Sequence, residues 1–162
     1  MKKFTNPEIK AISIILFVLF ILFGFNVSIS LRRGRDSVRK DDLSSLQKSL
    51  DTYKNKYKTY PLSSPDGLII GCFDEDPIVD KVTGFALNPV ACNWGVSRFE
   101  NKNLMPRDPN YKKGASYLYV SDGKKYQIYI SLEGKDEAEY TKLIVYKNLQ
   151  CGTNICNYGR EE

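Results

Sequence analysis

Histidine is absent from all 162 residues, which removes the commonest general base and a leading metal ligand together. Neither a G-x-S-x-G elbow, nor a glycine-rich phosphate loop, nor a C-x-x-C pair occurs. Serine hydrolysis, phosphoryl transfer and zinc binding therefore lack their usual residues. The chain is expected to be no enzyme, with no catalytic residue, no metal site and no cofactor. Its net charge of +5 is spread over interspersed lysines and acids, without the basic stripe and interleaved aromatics of a nucleic-acid surface. Nucleic acid is not an expected partner.

Charge of either sign is also missing from Ala11 to Leu31, 21 residues reading AISIILFVLFILFGFNVSISL. As a helix this run spans about 31 Å, close to the hydrocarbon thickness of a bilayer. A secretory signal core is shorter and runs into small residues at a cleavage site, whereas Arg32, Arg33 and Arg35 follow here. No face of the run is polar, so a small domain could hardly bury it. The lipid bilayer is the expected partner of one transmembrane helix over residues 9–31, after a short tail at 1–8. The remaining residues, 32–162, suit one globular domain.

Two signals disagree about the side of the membrane on which that domain lies. Arg32, Arg33, Arg35, Arg39 and Lys40 outnumber Lys2, Lys3 and Lys10, which by the positive-inside rule alone places the domain in the cytoplasm. Such a domain would keep its four thiols reduced. Against this, Cys72, Cys92, Cys151 and Cys156 form an even set in a loop-rich domain, which suggests two disulfides and an oxidising compartment. The expectation follows the cysteines: cell membrane, single pass, domain extracytoplasmic. Four cysteines allow three pairings; Cys72–Cys92 with Cys151–Cys156 is favoured because each closes a local loop, though spacing alone leaves the others open.

The helical pattern continues past the span. Leu43, Leu46, Leu50, Tyr53 and Tyr57 recur at 3-4-3-4 spacing, which places them on one face of an amphipathic helix ready to pack on a sheet. Tyr60-Pro61 stops it, because the residue before proline is pushed out of helical geometry. The helix is thus expected over 32–59 of the domain. Residues 60–114 are broken by prolines and glycines and read as loops, with a short buried strand at Leu68–Ile70 and a helical turn within Val96–Leu104. Ser116–Ser121 and Lys125–Leu132 read as strands joined at Asp122-Gly123, a strong hairpin signal. Thr141–Tyr146 reads as a third strand. The expected fold is α+β, a long helix packed on a small antiparallel β-meander over 115–147, with a disulfide-closed tail at 148–162.

This layout resembles type IV pilins and type II secretion pseudopilins. The similarity rests on Asp41-Asp42-Leu43-x-x-Leu46 through Tyr60-Pro61, on Met105-Pro106-Arg107-Asp108-Pro109, and on the Tyr117-x-Tyr119, Asp122-Gly123, Tyr126-x-Ile128 hairpin. The resemblance implies a pilin-like roll and a structural subunit of a type IV pilus or type II secretion-type filament. It also implies other pilin-like subunits as partners through the N-terminal helix. Pilin precursors are cut before a phenylalanine that has a glutamate four residues on, and Phe4 and Glu8 fall on that pattern. Lys3 stands where the family has a small residue. In the family the glutamate is thought to meet a neighbour's new amine, since a lone carboxylate among apolar helices is costly. A simpler reading makes Asn6 an N-cap, Pro7 a first-turn residue and Glu8 an acid matched to the helix dipole. The alternative function is a membrane-tethered extracytoplasmic binding module with the same fold, neither processed nor polymerised.

Two acidic loops complete the inventory: Asp74, Glu75, Asp76 and Asp80, then Glu133, Asp136, Glu137 and Glu139. Oxygen-rich loops can bind calcium, as the C-terminal loops of the major pseudopilins this chain resembles often do, but neither spacing matches a calcium loop. Solvated acids are the expectation for both. Arg32–Lys40 reads as a juxtamembrane anchor with anionic headgroups within reach.

Overall fold

A computed structural model describes residues 6–99 and 103–162. One unbroken helix, α1 (Asn6–Tyr57), carries the chain from the apolar run into the domain. Every residue from 6 to 31 is exposed, and burial begins only beyond Leu31. The helix is long and apolar enough to cross a membrane. It starts three residues before the expected Ile9, with Pro7 and Glu8 in its first turn, where a missing N–H and a negative charge are both favourable. It stops just short of Thr59 because Lys58 turns left-handed (φ 63°) while its N–H still bonds the carbonyl of Lys54.

Leu43, Leu46, Leu50, Tyr53 and Tyr57 are all buried. They face a three-stranded antiparallel sheet that assembles late in the chain. Between helix and sheet, the segment expected to be loops holds five short strands: β1 (Leu62–Ser63), β2 (Ile69–Cys72), β3 (Val90–Ala91), β4 (Arg98–Phe99) and β5 (Asn103–Leu104). β1, β2 and β3 form one small antiparallel sheet, and β4 with β5 makes a hairpin where a helical turn was expected. Phe99 explains the hairpin, since pairing turns it inward to stack on Tyr53 at 5.8 Å.

The main sheet has the order β10-β7-β6, built from β6 (Leu118–Ser121), β7 (Tyr126–Ile130) and β10 (Tyr158–Glu161). Ser121 pairs with Tyr126, so β6 and β7 are joined by four residues, one more than the sequence suggests. Asp122 accepts the N–H groups of Lys124 and Lys125, each at 2.9 Å. Gly123 takes φ 87°, and its carbonyl receives the Thr59 hydroxyl at 2.7 Å and the Tyr60 N–H at 2.9 Å. The turn is thereby tied to the end of α1.

The meander expected over 115–147 is corrected at its third strand. Residues Lys142–Tyr146 form a short helix, α2, and the third strand is β10, from the tail. Leu143, Ile144 and Val145 are consecutive, so a strand would throw apolar side chains to both faces. As a helix, Ile144 turns onto the outer face of the sheet beside Tyr129, Leu118 and Leu149, and only Leu143 and Tyr146 stay well exposed. Buried Asn157 directs the tail to β7: its amide accepts the Leu132 N–H at 2.7 Å and donates to the Leu132 carbonyl at 2.8 Å. Between α2 and β10, β8 (Gln150–Cys151) and β9 (Asn154–Ile155) form a small ribbon.

Candidate functional site at the membrane end of the domain

The buried stripe of α1 does not begin at Leu43. Counting backwards at the same spacing gives Arg39, Asp36 and Arg32, and both Arg39 and Asp36 are essentially inaccessible to solvent. Two charged side chains this deep need partners. Arg39 holds Asp108 with both arms of its guanidinium, Nε to Oδ2 at 2.8 Å and Nη2 to Oδ1 at 2.9 Å. Its Nη1 donates to Asp36 Oδ1 at 2.7 Å and to Glu133 Oε1 at 2.9 Å. Asp36 accepts in addition the backbone N–H groups of Glu133 and Gly134, each at 2.9 Å. Every oxygen and nitrogen of this cluster thus faces a partner of the opposite kind, which is what a buried ion network requires.

An outer ring surrounds it. Arg35 grips Glu133 through Nε at 2.8 Å and Nη2 at 2.6 Å, and Asn110 donates to Glu133 at 2.8 Å. Arg32 lies 2.7 Å from Asp136, and Lys40 bonds Glu137 at 3.0 Å and Glu139 at 3.1 Å. The juxtamembrane cations and the second acidic loop, which separately read as lipid anchor and solvated surface, are each other's partners. The Arg35 and Arg39 guanidiniums hold the Glu133 carboxyl down to about 2, against a smaller opposing effect of burial. Burial disfavours the Arg39 charge, yet its bonds to Asp108 and Glu133 more than compensate and raise its pKa.

Asp136 meets Arg32 one residue past the apolar run, so the acidic loop sits at the level where the span ends. What the arrangement can do is mechanical. It adds, just past the apolar run, a charged joint to the apolar packing of Leu43–Tyr57 that holds the domain on α1. A short distance along α1, Asp42 accepts a 2.5 Å hydrogen bond from the Tyr117 hydroxyl. The Tyr117 and Trp94 rings meet in a T-shaped contact with centroids 5.5 Å apart. Sequence reasoning missed Asp36, Arg39, Asp108 and Glu133 as a unit because a search for apolar spacing passes over charged positions. The signal was present in the unbroken 4-3 register upstream of Leu43.

The remaining candidates fall as follows. Lys3 and Phe4 lie outside the described residues. Glu8 is in the first turn of α1, 24 residues before Arg32 and far from the network. Cys72 is bonded to Cys92 and Cys151 to Cys156; the first links β2 to the residue after β3, and the second closes the β8–β9 ribbon beneath Tyr129. Two disulfides fit an oxidising, extracytoplasmic compartment. Among the described residues no three Cys, Asp or Glu side chains gather so as to hold a metal ion, and the acids of 133–139 are largely engaged by cations. Asp80 instead caps its own turn, accepting the N–H groups of Val82 and Thr83. No protein-family model matches the chain, and neither a curated protein nor a solved structure matches it.

Proposed function

We propose that this chain is a membrane-anchored, pilin-like structural subunit of a type IV pilus or type II secretion-type filament. Its domain would lie outside the cytoplasm and its apolar helix would pack against the helices of other subunits. The observation that carries the reading is α1 itself: one 52-residue helix whose first half is exposed, and uncharged from Ala11 to Leu31, while its second half is clamped to the domain. A tethered enzyme or receptor has no need of such continuity, because a flexible linker would serve. A subunit that transmits position from a bundle of helices to an outer surface does need a stiff rod. The fused charge network supports the same reading, since it spends a rigid joint on the point where rod and domain meet.

The test is the intact mass of the protein extracted from its native membrane, before and after reduction. Loss of Met1–Lys3, with hydrogens regained at four cysteines on reduction, is the expected result for an exported, processed subunit. An uncut chain that regains those hydrogens would favour a tethered extracytoplasmic module with the same fold. Four thiols already free in the native membrane would overturn the export reading.

A further inference from the structure

Between Ala11 and Leu31 the one carboxamide is Asn26, and it carries more hydrogen-bonding capacity than its own helix can satisfy. Asn26 donates one amide N–H to the Leu22 carbonyl, a turn back, at 2.9 Å and is exposed. Ser13 bonds the Ile9 carbonyl in the same way, and that back-bond uses the only proton of a hydroxyl. A carboxamide is different, because it keeps a second N–H and an Oδ1 with two lone pairs. Asn26 lies five residues inside the end of the span at Leu31, about 7.5 Å below it. A two-carbon side chain does not reach the headgroups from there. The free donor and acceptor therefore face hydrocarbon, where an unpaired polar group is costly.

We infer that Asn26 pairs with Asn26 of a second copy, in a parallel dimer of α1 helices within the membrane. Three observations select this occupant. Copies of a single-pass chain share one orientation, so their Asn26 residues lie at one depth. A carboxamide is complementary to itself, donor against acceptor, as an isolated asparagine is when it sets the register of a coiled coil. Finally, the face is open. Every residue from 6 to 31 is exposed, and at 3.6 residues per turn Asn26 lies roughly 120° round α1 from the buried stripe, so within the span, below the domain, a second helix can approach this side. Ser30 follows on the same side, at a small, closely packable position inside the span. Arg33 also follows there, but beyond the span, exposed and with Asp136 at 3.9 Å, where its charge stays solvated. The inference rests on the membrane-anchored part of the proposed function and not on a filament. An in-register pair is a different contact from the axially shifted neighbours of a helical polymer.

The full-length protein in lipid vesicles tests it, by counting photobleaching steps as the protein-to-lipid ratio is lowered. The wild type is expected to pass from two steps to one. Asn26→Leu should dissociate at about three- to thirtyfold higher protein density, the span of measured interhelical side-chain hydrogen bonds. Asn26→Gln, which keeps the amide, should restore the wild-type curve, while Phe20→Leu on another face should leave it unchanged. A wild type that is monomeric throughout, or an Asn26→Leu curve identical to it, overturns the inference. Alkaline carbonate separates the two readings: release of the chain sinks the membrane anchor and this dimer together, whereas an integrated monomer sinks the dimer alone.

Discussion

The two ends of the domain are fastened to one face of one helix by opposite kinds of chemistry. At the membrane end the positions of the stripe are Arg32, Asp36 and Arg39, gripped by Asp108 and the 133–139 loop. At the far end they are Leu43, Leu46, Leu50, Tyr53 and Tyr57, packed among Tyr60, Tyr119 and Tyr126 and braced by a disulfide. The spacing is the same at both ends, and Asp36 and Arg39 are as deeply buried as the apolar residues, while Arg32 is partly exposed at the rim. Apolar contacts supply stability in proportion to area and tolerate small rotations. A bidentate arginine tolerates almost none, because both of its bonds lengthen when the angle changes. The far end thus holds the domain on, and the near end sets the angle at which it sits against α1.

The sharpest way to break this contrast is Arg39→Met. It leaves three carboxylates facing a site with no cation in its centre, and removing one partner of a buried ion network costs about 3–5 kcal/mol. Leu50→Ala, at the apolar end, should cost about 2–5 kcal/mol by cavity formation. Tyrosine near-UV circular dichroism during denaturant unfolding in micelles measures both. The distinguishing outcome is the double variant Arg39→Met, Asp108→Asn, which should recover part of the loss because a charge goes with its partner. Leu50→Ala has no such rescue. If Arg39→Met costs no more than about 1 kcal/mol, the usual value for an exposed pair, the network does not hold the joint.

Removing the Cys72–Cys92 bridge as a pair of serines comes next. It opens a loop with a sequence separation of 20 residues and should cost about 3 kcal/mol, against about 2 kcal/mol for the short Cys151–Cys156 bridge. The expected signature is local. Amide hydrogen exchange should rise in β2 and β3 while the Glu133 and Gly134 amides, bonded to Asp36 at the other end, keep their protection. Equal loss at both ends would show that the two fastenings unfold as one.

Legibility in the sequence followed the same division. The apolar stripe, the apolar run long enough to cross a membrane, the hairpin at Asp122-Gly123 and the two local cysteine loops were visible, because spacing and turn chemistry are local properties. Arg39 with Asp108 was not, since the pair is separated by 69 residues and neither residue alone departs from an ordinary surface composition. The third strand failed for a related reason. Thr141–Tyr146 carries strand-forming residues, but β7 offers one free edge and Asn157 delivers Tyr158–Glu161 to it. Competition for that edge is a tertiary matter that outweighs β propensity.

Glu133 in the joint and Asp42 beside it should give the most diagnostic effects, because their pH dependences have opposite sign. Glu133 titrates at about 2 when folded against an ordinary 4.5. Its contribution is complete above about 4.5 and is lost as the pH falls from there towards 2. Asp42 is the reverse. Burial raises its pKa above the ordinary 3.8, only partly opposed by the Tyr117 hydroxyl, so the folded state binds this proton more tightly than the unfolded state. Stability from Asp42 is therefore greatest below 3.8 and declines as the pH rises through its raised value. Asp42→Asn keeps an acceptor for Tyr117 and removes the charge. At neutral pH it should leave stability unchanged or raise it slightly, because the folded state no longer holds an ionised carboxylate that burial disfavours. It should also steepen the net acid destabilisation, because the opposing slope is gone. Glu133→Gln should flatten that same limb. Acid titrations of the three proteins, followed by tyrosine dichroism, would separate these outcomes. Parallel curves for Asp42→Asn and the wild type would mean that the Asp42 carboxyl is solvated and that the Tyr117 bond contributes nothing to the joint.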